Sequence, residues 1–149
     1  METRLNYAKA RPDAFKAMMA LENAARATSI EAALAELIRM RVSQMNGCAF
    51  CMDMHAHDMI QAGERPQRIF VLNGWHDSPL FTPRERAALA WAEALTTLPS
   101  GHPDDALYDA LDPHFTDAEK VDLTLLIVAI NGWNRFGVGF RMVHPARDR

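Results

Sequence analysis

Residues 36–55 read ELIRMRVSQMNGCAFCMDMH, and this stretch contains both cysteines of the chain. Glu36, Cys48, Cys51 and His55 are separated by eleven, two and three residues. A pair of thiols provides a nucleophile and a second sulfur that can react with it, while a carboxylate and an imidazole can move a proton. The spacing therefore indicates thiol redox chemistry.

The same stretch predicts a helical hairpin. A helix over residues 30–46 is followed by Gly47, a suitable C-cap, and a second helix is expected over residues 48–62. Two helices joined by so tight a turn pack antiparallel. Glu36 and His55 then lie at similar depth on facing helices.

Both cysteines are expected at the start of the second helix of this hairpin. At 100° per residue, Cys48, Cys51 and His55 fall within about 60° of one another and share one face, whereas His57 points to nearly the opposite side. Unpaired N–H groups and the helix dipole at an N-terminus favour a thiolate. We therefore expect reactive thiols there.

Glu36 is surrounded in sequence by small residues that allow another helix to approach closely. Burial would raise the pKa of this carboxyl, so that Glu36 could act as a base near neutrality. Considered alone, it is more typical of a surface glutamate paired with Arg39 or Arg41, and His55 of a core histidine. Their joint spacing to the cysteines favours the functional interpretation.

The rest of the chain predicts an all-α fold with no strands. Thr28, Thr82 and Thr116 each stand three residues before a glutamate and form three expected capping boxes, and Pro103 is a further candidate helix start. Short linkers indicate one domain spanning residues 1–149. The seven predicted helices cover residues 12–26, 30–46, 48–62, 66–73, 83–98, 103–111 and 117–135.

Composition narrows the class of protein. Apolar residues make up 49%, which is typical of a globular chain, and a net charge of −3 without a basic stripe argues against nucleic-acid binding. No apolar run reaches the roughly 18 residues that a membrane span needs, and the N-terminus lacks an apolar signal region. We expect a cytoplasmic protein that forms homo-oligomers, because helices 30–46 and 117–135 are apolar around most of their circumference.

Two other interpretations of the cysteine pair remain open. The thiols could be buried core residues, or they could bind zinc together with histidine. Cys48, Cys51, His55 and His57 do not form one site, because the two histidines diverge by about 200° on a helix. A metal site that uses Glu36 stays possible, but we assign neither a metal nor a cofactor.

These residues resemble the alkyl hydroperoxidase D-like family of the carboxymuconolactone decarboxylase superfamily, in its single-domain branch. The match rests on the four residues above, at the family's spacing, and on the flanking stretches 37–48, 81–89 and 131–135. The resemblance implies an all-helical fold of about seven helices and homo-oligomers, commonly trimers or hexamers.

The resemblance also implies a peroxidase. Cys51 would attack the peroxide and become a sulfenic acid, Cys48 would condense with it to a disulfide, and Glu36 and His55 would carry the proton, through a water. A lipoyl or thioredoxin-like dithiol would restore the thiols. Phe50 stands where the best-known family peroxidase has a second histidine, and this departure counts against efficient peroxidase activity.

The leading hypothesis is therefore a thiol peroxidase for organic hydroperoxides or hydrogen peroxide. From the residues alone the nucleophile is open: the first cysteine of such pairs often attacks, whereas the i+4 relation to His55 favours Cys51. One alternative is a general disulfide reductase or redox partner with little peroxidase activity. The other is a non-catalytic oligomer that senses oxidation or binds a ligand.

Overall fold

The computed structural model describes residues 1–146, and within that range every regular element is a helix. The all-α prediction is confirmed. Two short 3-10 segments, Leu72–Asp77 and Leu98–Ser100, connect longer elements. The α-helices are α1 (Tyr7–Ala10), α2 (Pro12–Arg26), α3 (Ala32–Met45), α4 (Ala49–Gln61), α5 (Pro66–Val71), α6 (Pro83–Thr96), α7 (Asp105–Asp109) and α8 (Asp117–Gly139).

The helices differ from the prediction most clearly in three respects, and most of the other boundaries shift by one or two residues. The sequence pattern missed α1, a single turn capped by the Asn6 side chain. Helix α8 runs to Gly139, four residues beyond the expected end. Helix α7 starts at Asp105 because the Asp104 carboxylate caps the Leu107 amide, so the start predicted at Pro103 is wrong.

Two of the three capping boxes are confirmed. The hydroxyl oxygens of Thr82 and Thr116 each accept from the backbone amide of the glutamate three residues later. The carboxylate of that glutamate accepts in turn from the backbone amide of the threonine. The box predicted at Thr28 is wrong. The Thr28 hydroxyl instead donates to the Ala25 carbonyl at 3.0 Å and closes the end of α2, and α3 begins after Glu31 without a side-chain cap.

Helices α3 and α8 form the centre of the hydrophobic core. Leu37, Ile38 and Val42 of α3 are fully buried, and α3 contacts α4, α6 and α8. Helix α8 also packs on α2, α4 and α6, but Val121 and Val128 on its outer side are largely exposed. No helix in residues 1–146 has the length and apolar character needed to cross a bilayer.

The turn between α3 and α4 is a Schellman motif. The Cys48 amide donates to the Ser43 carbonyl at 3.0 Å, and the Gly47 amide donates to the Gln44 carbonyl at 3.2 Å. Gly47 has a φ of +65°, in the left-handed region. The carbonyls at the end of α3 are thereby paired, and the chain reverses within two residues.

A cluster of three side-chain amides, one of them buried, connects this turn to α8. The Asn46 side-chain amide donates to the oxygens of Asn131 (3.0 Å) and Asn134 (2.9 Å), and the Asn134 amide donates to the Ser43 hydroxyl at 3.1 Å. Asn134 is 1% exposed. These polar residues in an apolar helix therefore have a structural reason: they anchor the residues just before Cys48.

We expect Gly47→Ala to lower the free energy of unfolding by about 1–2 kcal/mol, because an alanine is strained in the left-handed region. No atom lies within 4 Å of the added Cβ, so the cost is that of the backbone alone. Urea denaturation measures it. Gly139→Ala is the control: its Cβ also meets nothing and its φ is not positive, so the two variants should differ.

Candidate active site

The dithiol lies at the N-terminus of α4. Cys48 is the N-cap residue, Cys51 lies in the first turn, and the two sulfurs are joined as a disulfide. The Cys51 amide donates to the Cys48 sulfur at 3.3 Å, so this sulfur replaces the usual capping oxygen. The cysteines are 1% and 4% exposed, and their predicted place at the helix start is confirmed.

Glu36 and His55 meet across the α3–α4 hairpin. The Oε2 atom of Glu36 lies 2.8 Å from Nδ1 of His55. His55 is 2% exposed, and its other ring nitrogen, Nε2, is buried without a hydrogen-bond partner. A carboxylate that accepts from Nδ1 leaves Nε2 of a neutral imidazole as the proton acceptor.

The prediction that the pKa of Glu36 is raised is wrong. Burial raises the pKa of this carboxyl, as the sequence suggested. The hydrogen bond from His55, the positive charge that His55 carries when protonated, and the guanidinium of Arg39 together outweigh burial. The pKa of Glu36 is therefore held below its ordinary value. Glu36 stays ionised near neutrality and orients His55, and His55 is the better candidate for the base.

A buried ion-pair network continues from Glu36 towards α2. Arg39 donates from Nη1 to Oε1 of Glu36 at 2.9 Å, and its Nη2 lies 3.3 Å from Oε1 of Glu22. The same Glu22 oxygen pairs with Arg26 at 2.7 Å, and its second oxygen accepts from the Trp133 indole at 3.2 Å. Sequence reasoning treated Arg39 only as a surface partner of Glu36 and missed Glu22, whose i+4 spacing to Arg26 was the available signal.

A cavity of about 320 Å³ opens beside the disulfide. Cys51 and His55 line it, whereas Cys48 and Glu36 do not. Phe50 and Met54 contribute apolar surface, so Phe50 lies on the wall of the cavity. Three charged residues of α2 and α3 also line the cavity: Glu22, Arg26 and Arg39. The remaining lining residues are mostly apolar and are Tyr7, Met19, Asn23, Ile130, Trp133, Gly137 and Met142.

Gly137 of α8 packs directly on the disulfide. A Cβ at this position would lie 2.7 Å from the Cys48 sulfur and 3.4 Å from the Cys51 sulfur. No side chain fits between α8 and the cysteines, so the glycine is required by close approach. Sequence reasoning did not identify it, because nothing local in α8 shows what the helix packs against.

The zinc alternative has limited support from the geometry. Among residues 1–146, Glu36, His55 and Asp58 have potential ligand atoms within 4.8 Å of one another. The cysteines do not belong to that group, and their sulfurs are bonded to each other. Glu36 and His55 are already paired, so a metal would have to replace their hydrogen bond.

Comparison with known proteins identifies the family. The model of the carboxymuconolactone decarboxylase family matches residues 12–94, a range that contains Glu36, Cys48, Cys51 and His55. The chain belongs to this family. It is also 42% identical over 138 residues to the uncharacterized protein YdfG of Bacillus subtilis (strain 168), an alignment that covers 93% of this chain and 94% of the relative.

Solved structures share the fold and place the chain in the AhpD-like branch. A protein of unknown function from Agrobacterium tumefaciens, named as a candidate antioxidant defence protein AhpD, has a TM-score of 0.95 at 45% identity, covering 98% of this chain and 100% of that one. The debrominase Bmp8 has a TM-score of 0.82 at 24% identity, covering 93% and 74%. The likeness to Bmp8 shows the fold alone.

We expect Gly137→Ala to destabilise the oxidised protein by about 1–3 kcal/mol, the usual cost of overpacking a tight core. The added methyl group has no room beside the Cys48 sulfur. Thermal or urea unfolding without reductant measures the change. Gly139→Ala, two residues along the same helix with open space at Cβ, should cost far less; an equal cost at both positions would contradict the packing argument.

Glu36→Gln tests the charge state of Glu36. Because its pKa is lower in the folded than in the unfolded chain, ionised Glu36 contributes stability above the ordinary glutamate pKa of about 4.3. That contribution is lost as pH falls through the folded-state pKa. We expect Glu36→Gln to lose about 1–3 kcal/mol at pH 7 and the loss to shrink below about pH 4. Urea unfolding across this pH range measures it, and a loss that grows towards acid would be the wrong sign.

Proposed function

We propose that this protein is a thiol-dependent peroxidase that reduces organic hydroperoxides or hydrogen peroxide through a Cys48–Cys51 dithiol–disulfide cycle. The observation that carries the proposal is the position of Cys51. Cys51 and the buried His55 line the same largely apolar cavity, and Glu36 is hydrogen-bonded to Nδ1 of His55. The Cys51 sulfur is also bonded to that of a second cysteine, Cys48. Membership of an AhpD-like branch supports the same chemistry.

The first half of the cycle uses Cys51 as the nucleophile, because Cys51 rather than Cys48 lines the cavity. His55 accepts the Cys51 proton, directly or through a water, and the thiolate attacks the terminal oxygen of the hydroperoxide. The O–O bond breaks, and the leaving alkoxide takes the proton from His55 as an alcohol. Cys51 is oxidised to a sulfenic acid and the peroxide is reduced.

The second half of the cycle regenerates the thiols. The Cys48 sulfur attacks the Cys51 sulfenic acid, an S–S bond forms, and water leaves with the remaining proton. An external dithiol of the lipoyl or thioredoxin-like class then supplies two electrons and two protons by thiol–disulfide exchange. No further cofactor enters this scheme, and we propose that the chain works as a homo-oligomer.

The composition of the cavity favours organic over inorganic peroxide. Phe50, Met54 and Trp133 offer apolar contact to an alkyl or aryl group, which hydrogen peroxide lacks. Phe50 also removes a polar group where the best-known family peroxidase has a histidine. We therefore expect His55 alone to exchange the proton with Cys51.

Stopped-flow reduction of cumene hydroperoxide, with a small dithiol as reductant, tests the proposal. Wild type should turn over and Cys51→Ser should lose all turnover. Cys48→Ser should react once and stop at a sulfenic acid that dimedone traps, because no resolving thiol is present. Similar residual activity in both variants would contradict the assigned roles.

The same assay separates the other candidate functions. Exchange with dithiols and model disulfides but no consumption of peroxide would identify a disulfide reductase or redox partner. Oxidation of the dithiol without turnover would indicate a redox sensor. The Bmp8 fold and the apolar cavity make 2,3,4-tribromopyrrole a useful second substrate: its reductive debromination, without peroxide turnover, would replace the peroxidase proposal.

A further inference from the structure

Among the hydrogen bonds described for residues 1–146, Arg39 is the one cation that bonds to the Glu36 oxygen that does not face His55. Its Nη1 donates to Oε1 of Glu36, and the other oxygen of the same carboxylate faces Nδ1 of His55. The side chain is 5% exposed, which is unusual for an arginine. A buried guanidinium needs a partner, and Glu36 provides it at 2.9 Å.

We infer that Arg39 is a positioning residue, which clamps Glu36 so that the carboxylate holds Nδ1 of His55 and leaves Nε2 directed to Cys51. The inference deepens the proposed function and rests on it only for the choice of Cys51 as the reacting thiol. Arg39 has no bond to either cysteine in the described contacts, and its effect passes through Glu36 and His55.

The planar guanidinium suits this role. It spans two carboxylates, with Nη1 on Glu36 and Nη2 at 3.3 Å from Glu22, and so links α3 to α2. Nη2 makes no hydrogen bond of good geometry. The stronger contact is therefore to Glu36, and Glu22 is shared with Arg26 and Trp133. A lysine has one ammonium and cannot present this fork.

The position of Arg39 between two cavities is consistent with indirect action. It lines both the 320 Å³ cavity with Cys51 and His55 and a second cavity of about 140 Å³ that Glu36 lines. Glu36 lines only the second. Glu36 bonds to His55 and Arg39 and has no described bond to Cys51, so it acts on the reacting sulfur through His55, while Arg39 holds its other oxygen.

The other charged groups near Glu36 come from α2 and α4. Arg26 lines the second cavity, Glu22 pairs with Arg39, and the exposed Asp58 has an oxygen within 4.8 Å of the ligand atoms of Glu36 and His55. Glu22 and Asp58 are anionic and favour protonation of Glu36, so they oppose Arg39. His55 and then Arg39 lower the pKa of Glu36, and Arg39 does so through a direct bond to Oε1.

The test is the pH dependence of iodoacetamide alkylation of Cys51, measured in a reduced Cys48→Ser background with a single thiol. Arg39→Met should move the midpoint to higher pH and slow alkylation at pH 7 by about tenfold, since one pKa unit is a tenfold change in thiolate. Arg39→Lys should restore part of the rate, because it keeps the charge without the fork. The control is Arg41→Met. It removes another arginine of α3, one that pairs with Glu93 of α6, and it should leave the profile unchanged.

A double-mutant cycle separates positioning from a direct effect of the Arg39 charge on the thiolate. In a Glu36→Gln background, Arg39→Met should produce no further shift. An undiminished shift in that background would overturn the inference, as would an unchanged midpoint in folded Arg39→Met. If Arg39→Met does not fold, Glu22→Gln replaces it: the midpoint should move to lower pH, and no movement or a move to higher pH would contradict the role.

Alkylation requires no peroxide, so the two proposals fail separately. If the alkylation midpoints shift as expected but the protein does not turn over peroxide, the peroxidase proposal is contradicted and the role of Arg39 stands. Peroxide turnover with an alkylation profile insensitive to Arg39 would do the reverse.

Discussion

The Schellman turn at the end of α3 is the constraint on which the site depends. It pairs the last carbonyls of α3, uses Gly47 in a left-handed conformation, and makes the next residue, Cys48, the N-cap of α4. A longer or looser connection would change the rotation of α4 about its axis and move His55 away from Glu36. The hydrogen bonds from Asn46 to α8 hold the turn itself in place, so the position of the dithiol depends on tertiary contacts as well as on the local motif.

The charged groups of the site form one network rather than separate pairs. His55, Glu36, Arg39 and Glu22 are all largely buried, and each charge has an opposite charge as its neighbour. Burying such groups is costly unless they are paired, and removing one member leaves its partner without an opposite charge. The network therefore fixes the positions of these side chains and lowers the pKa of Glu36, which stays ionised and bonded to Nδ1 of His55. The proposed cycle uses His55 as the group that exchanges a proton.

The cavity and the dithiol have separable roles. A fold that is shared with a debrominase at 24% identity does not by itself specify a reaction. In this chain the cavity wall beside Cys51 is largely apolar and includes Phe50, Met54 and Trp133. Under the proposed function these three residues would contact the substrate, while the thiol chemistry would depend on residues of the α3–α4 hairpin.

The sequence by itself determined the helical fold and the hairpin, and it predicted which four residues form the candidate site. Helical periodicity, the glycine after α3 and the spacing from Glu36 to His55 are local properties, and they predict that these groups meet whatever the rest of the chain does. Only the tertiary structure decided the charge of Glu36, the network through Arg39 and Glu22, the need for glycine at 137 and the walls of the cavity. The network, the glycine and the cavity walls depend on residues from α2 or α8 that are distant in sequence, and the charge of Glu36 depends on how closely His55 and Arg39 approach it in space. A pKa or a close contact is the sum of all neighbours in space, and a single stretch of sequence contains only those along the chain.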